Sequence, residues 1–170
     1  MKKLYALLLT IVMFAALTIS AFAATSPQAL VQDSVASISI DVAEVAVTAA
    51  SAQLVQDAFE LTANETHMAN LGVPADAYVA AVINVSYSGE IPAGGVKIPI
   101  TVSNADAGDY VIILHRSSVE PYEWEVVGRG VLDANKTIIG TFHSFSPVVV
   151  MVVDGADYSA TGIKAPKTGQ

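Results

Sequence analysis

From residue 78 onward the chain alternates. In Tyr78-Val-Ala-Ala-Val-Ile-Asn-Val-Ser-Tyr87, the residues Val79, Ala81, Ile83, Val85 and Tyr87 share an apolar face while Asn84 and Ser86 point the other way. That period of two is the mark of a half-buried strand. A turn cluster over residues 88–95 follows, and then Val96, Ile98, Ile100 and Val102 alternate with Lys97, Pro99, Thr101 and Ser103. Because proline has no N–H to give to a ladder, Pro99 predicts an edge position or a bulge. Beyond the turn at residues 104–109, the run 110–115 is apolar on both faces, as a strand covered on both sides would be. Trp124 and Val126 then oppose Glu123 and Glu125, residues 137–145 form a further strand after the turn at 132–136, and the run 147–153 closes the series. Six strands at short, regular spacing, divided by Gly, Asn, Asp and Pro turns, predict a mainly β protein folded as an antiparallel β-sandwich, with an open barrel as the alternative.

Upstream the pattern is mixed. Ile38, Ile40, Val42, Val45 and Val47 alternate with small or polar residues and predict at least one strand. Ser51 is placed to cap one short helix over residues 52–60, where Leu54, Val55, Ala58 and Phe59 share a face. Ser26-Pro27 has the form of another cap followed by a first-turn proline. The tetrapeptide Leu-Val-Gln-Asp occurs at 30–33 and 54–57, too short and too isolated to define a repeat.

The N-terminus carries a different signal. Lys2 and Lys3 precede an apolar run over residues 4–19, and Ala21-Phe22-Ala23 forms a small-x-small site before Ala24. This is the form of a secretory signal peptide cleaved between Ala23 and Ala24; the competing reading of such a run is an uncleaved membrane anchor. The expected organisation is a leader at 1–23, a β-sandwich surface domain at 24–154, and a flexible linker of small, polar and turn residues at 155–170.

Composition then narrows the partners. Cleavage leaves 147 residues, enough for one domain, and removing Lys2 and Lys3 takes the formal charge from −8 to −10. Such a chain repels phosphate backbones and anionic lipid, which argues against nucleic acid as a partner. The absence of cysteine excludes disulfides, thiolate metal sites, a cysteine nucleophile and a lipid-modified N-terminal cysteine.

Candidate chemistry is sparse. His67, His115 and His143 lie too far apart in sequence to form a local metal motif, although His115 and His143 could meet across strands. Asn104, Asp106 and Asp109 loosely resemble a calcium loop but lack its distant bidentate Glu and have the spacing of a turn. Glu123 and Glu125, with Glu120 nearby, supply the carboxylates of a glycosidase pair, against the commoner reading as a solvated strand face. There is no Gly-x-Ser-x-Gly elbow, and Ser144 and Ser146 beside His143 are strand neighbours rather than a triad. Trp124 with Tyr122 offers an aromatic platform, against the commoner reading of a lone Trp in a sandwich core. Asn64, Asn84 and Asn135 head glycosylation sequons that would matter only in a eukaryotic secretory route. No catalytic residue, cofactor or metal site is assigned.

Five short motifs carry a resemblance: Gly108-Asp109, Ile113-Leu114-His115, Trp124-Glu125-Val126, Gly140-Thr141-Phe142 and Phe145-Ser146-Pro147. In this order, over residues 107–153 and extending back to about residue 71, they resemble a β-rich module near the C-terminus of exported Firmicutes surface proteins of clostridial type. The resemblance implies a cell-surface location and a β fold, and nothing catalytic. Such proteins often end in a sorting signal similar to Leu-Pro-x-Thr-Gly, followed by an apolar stretch and a basic tail. Ala165-Pro166-Lys167-Thr168-Gly169 resembles that motif with Ala165 in place of leucine, and only Gln170 follows. The expectation is therefore a truncated sorting signal. The implied partners are a sortase and peptidoglycan, joined through Thr168, together with an unidentified host or glycan ligand. The expected function is that of a non-catalytic, structural or adhesive protein of the cell wall; the alternative is a secreted binding module for glycan or protein.

Overall fold

The computed structural model describes residues 35–155, apart from Val119, Pro121, Tyr122 and Ser146. The leader with its Ala23/Ala24 junction, the Ser26-Pro27 cap, the first Leu-Val-Gln-Asp and the Ala165–Gly169 motif all lie outside the described residues. Eight strands are present among the described residues: β1 (Ile38–Ser39), β2 (Val45–Ala49), β3 (Tyr78–Tyr87), β4 (Val96–Val102), β5 (Tyr110–Arg116), β6 (Trp124–Val131), β7 (Thr137–Phe142) and β8 (Pro147–Val153). Two helices, α1 (Ala52–Ala63) and α2 (Glu65–Asn70), separate β2 from β3.

The strands form two wholly antiparallel sheets, one ordered β1-β4-β7 and the other β2-β3-β8-β5-β6. They pack face to face as a β-sandwich. Between them lie Ile98, Ile100 and Val102 of β4, Ile138 and Phe142 of β7, and Ala81, Ile83, Val85, Val111, Ile113, Val148, Val150 and Val152 of the larger sheet. The outer face of the larger sheet is covered in turn by the helices, whose Val55, Ala58, Leu61 and Met68 pack on Val82, Ile112, Leu114, Val149 and Met151.

This third layer explains why residues 110–115 and 147–153 read as unbroken apolar runs. A strand with solvent on one face alternates, whereas one covered on both does not. All of β8 and all of β5 but Arg116 are buried accordingly. At about 1.5–3 kcal/mol for each large aliphatic side chain taken out of water, these two strands supply a major share of the driving force for folding.

The helices have local causes. Ser51 Oγ accepts the Leu54 N–H at 3.3 Å as the N-cap of α1, which runs one turn beyond the predicted 52–60 and adds Leu61 to its buried face. Asn64 then caps α2 by accepting the His67 N–H at 3.0 Å, and Gly72 follows with a φ of 68° that favours glycine after a helix end. Two helices thus stand where one was expected.

Pro99 sits where a proline costs least. Val102 N–H donates to Lys136 on the β7 side and Ser103 N–H to Ser37 on the β1 side, so alternation turns the Pro99 nitrogen toward β1. The register Ile38↔Val102, Ser39↔Thr101 would bring Asp41 opposite Pro99, where no donor exists. β1 accordingly stops after two residues. In β3 a register shift between Val79 and Ala81 reverses the side-chain parity, so Val79 packs beneath the helices while Ala81, Ile83 and Val85 face the other sheet.

The two sheets come closest where β6 meets β7. A Cβ on Gly128 would stand 2.7 Å from the Ile139 carbonyl oxygen, so only glycine permits the approach. The core makes a direct prediction. Ile113→Ala, at a site with no exposed area, should lower the unfolding free energy by about 2–5 kcal/mol in urea denaturation, whereas Ile139→Ala, 59 % exposed on the outer face of β7, should change it by no more than about 0.5 kcal/mol.

Candidate functional site

The predicted residues do not converge. Among the described residues no group of three or more His, Asp or Glu is arranged to hold a metal ion. His67 is half-buried on α2, His143 is exposed after β7, and His115 is fully buried on β5.

His115 does meet Glu125. The two are directly opposed across the β5–β6 ladder, and the imidazole Nδ1 lies 3.0 Å from Glu125 Oε1. A carboxylate acceptor there fixes the tautomer in which Nδ1 carries the proton. The ring packs edge-on against Phe142, with centroids 5.8 Å apart, and Phe142 stacks on Phe145, which stacks on Tyr87. His115 thus forms the polar end of an aromatic column between the sheets.

A histidine oriented by a carboxylate is also the base half of a hydrolytic triad. Here the imidazole is 0 % exposed, so no substrate can reach it, while the Glu125 side chain keeps 47 % of its surface in water. The pair joins the two strands and satisfies a buried ring nitrogen. Burial pushes the His115 pKa below its ordinary value of 6.5, and the hydrogen bond and charge of Glu125 act in the opposite direction without reversing it.

The carboxylates weighed as a glycosidase pair lie apart in role: Glu123 and Glu120 are exposed, and Glu125 serves His115. Trp124 departs from the expected sandwich core. It is half-buried on the opposite face of β6, packed with Val126 against the cluster beneath the helices. Tyr122, its proposed platform partner, is outside the described residues.

The Asn104–Asp109 segment is an internally bonded turn. Asp109 accepts the Asp106 N–H at 2.8 Å through Oδ2 and the Gly155 N–H at 2.9 Å through Oδ1, Asn104 Nδ2 donates to Ala80 O, and Lys136 Nζ lies 3.3 Å from Asp106 Oδ1. These bonds fasten the turn to the end of β8 and to the β6–β7 connection. Nearby Tyr78, 50 % exposed, has its phenol pKa raised by partial burial and then by the charges of Asp109, Asp154 and Asp106.

Surface recesses also open among the described residues. One of about 720 Å³ opens beside α2, with Met68, Val73, Ala77 and Met151 as its apolar floor and Thr62, Glu65, Thr66 and Asn70 among its polar lining. A shallower one of about 540 Å³ lies at Tyr87, Glu90, Pro92, Gly95, Val96 and Lys97. The first was not legible in the sequence because α2 was not. Its signal was Asn64-Glu65 before Met68, a cap and a first-turn acid that were read only as a sequon.

Comparison of the chain with protein-family models, with curated proteins and with solved structures finds no match.

The buried imidazole makes stability depend on pH. With a folded pKa below the unfolded 6.5, the unfolded chain takes up a proton first as the pH falls, so the stabilisation from neutral His115 is complete above 6.5 and declines below it. The melting temperature should therefore drop between pH 7 and pH 5.5, and His115→Phe, which keeps an aromatic ring against Phe142, should flatten that slope. An unchanged slope in the variant would show that other groups govern it.

Proposed function

We propose that the chain is a non-catalytic, exported surface domain held at the cell envelope through its C-terminal segment, with a structural or adhesive role. The order of segments carries this reading: a cleavable leader, a β-rich domain, a short linker, and Pro166-Lys167-Thr168-Gly169. The fold supports it. A tether that leaves the domain after Gly155 pulls on β8, which is hydrogen-bonded to β3 on one side and β5 on the other and buried on both faces. Attachment at such a strand loads both halves of the larger sheet at once. Packing also replaces the disulfides that a cysteine-free exported domain lacks.

The recess beside α2 favours a second reading, a secreted binding module. A concave recess with apolar lining and a few polar groups is the usual form of a ligand site.

Expression of the gene in its own host separates the two. The anchored form should begin at Ala24 by mass spectrometry, remain with the peptidoglycan after boiling in detergent, and be released by muramidase. Thr168→Ala should move it to the culture medium while leaving its fold, read by circular dichroism, unchanged. Recovery of both proteins from the medium alone would overturn the anchoring and leave the secreted module.

A further inference from the structure

A strand at the edge of a sheet presents unpaired N–H and C=O groups to any second chain, and stable proteins blunt such edges. Most edges here are blunted. β1 is two residues long. β6 has a register shift beside Val127, carries Glu125 and Arg129, and is met by β7 at Gly128, so these two edges shield each other. β2 has none of these devices. Its sequence, Val-Ala-Val-Thr-Ala, contains no charge and no proline, its pairing with β3 is regular, and no strand flanks its outer side among the described residues.

The direction of its backbone groups follows from one bond. Ser88 N–H donates to Glu44 O, so residues 44, 46 and 48 face β3 and the N–H and C=O groups of Val45, Val47 and Ala49 point outward. The Val45 N–H is turned back onto Val42 O at 2.9 Å, which ends the open ladder at that side. What remains open is the Val45 C=O, both groups of Val47, and Ala49.

We propose that this edge is a self-association site, at which β2 of a second copy adds antiparallel and joins two five-stranded sheets into one of ten strands. A two-fold axis at Val47 uses the open groups in full. Val47 exchanges both bonds with the partner's Val47, and the Ala49 N–H of each copy reaches the Val45 C=O of the other, for four hydrogen bonds in all. The side chains agree with this register. Val47 meets the partner's Val47 as a β-branched cross-strand pair, Ala46 meets the partner's Thr48, and Glu44 lies opposite the partner's Ala50. A chain of formal charge −10 without its leader thus approaches itself along an edge where no like charges are opposed.

A five-residue strand contact falls well below the roughly 1,000 Å² of a standing interface, so the pairing is weak and concentration-dependent. Copies crowded on one surface would reach the required local concentration. The inference goes beyond envelope attachment and does not rest on it, since pairing is measured in solution.

The test uses residues 24–170 in sedimentation equilibrium from micromolar to millimolar concentration, with amide hydrogen exchange at both ends of the range. The mass should rise toward that of a dimer, and exchange at Val47 and Ala49 should slow with concentration while Ala46 and Thr48, already bonded to β3, stay constant. Val47→Pro removes an outward donor without touching the β2–β3 ladder, and Thr48→Lys adds an edge lysine should the proline variant fail to fold. Each should weaken association by about tenfold or more. A monomer throughout would overturn the proposal. So would slow exchange at Val47 and Ala49 independent of concentration, which would show the chain covering its own edge, or a dimer that neither variant weakens.

Discussion

Strand β8 has no side that meets water. Its two faces are buried, one against the smaller sheet and one against the helices, and its two edges are hydrogen-bonded to β3 and β5. A strand can be made of seven apolar residues in this way only if every direction around it is occupied. The rest of the architecture meets that requirement. The three-stranded sheet covers one face, α1 and α2 the other, and β2-β3 and β5-β6 extend the sheet on either side.

The polar features are subordinate to this packing. The His115–Glu125 pair, the Asn104–Asp109 turn and the Arg116–Asp57 ion pair, at 2.9 Å, each fix a margin of the core. Arg116, the last residue of β5, meets Asp57 on α1, which holds the helical layer over the sheet. Groups occupied in this way maintain a fold, and they account for much of the chemistry that the sequence suggested.

Much of the sandwich was legible because its signals are local. Ile98, Ile100 and Val102 alternate in the chain and are buried in alternation in the structure, and Ser51 caps the helix it was expected to cap. Other features were hidden because they depend on residues distant in the chain. The bulge at Ala80 reverses the face of Val79, and nothing in the local sequence marks it. Trp124 faces the helices rather than the other sheet because a sheet covered on both faces offers two apolar destinations, which a period of two cannot distinguish. The His115–Glu125 contact depends on the β5–β6 register, itself shifted near Leu114. α2 was masked by its brevity, since six residues give fewer than two turns of periodicity.

The central strand is also the last one among the described residues. When a polypeptide is delivered N-terminus first, from a ribosome or across a membrane, β2-β3 and then the β5-β6 hairpin can form as separate pieces, each with an apolar face and an unfilled side. Neither can join the other until residues 147–153 arrive to fill the slot between them. The order of strands therefore delays consolidation until β8 has been delivered and keeps the preceding strands pliable up to that point.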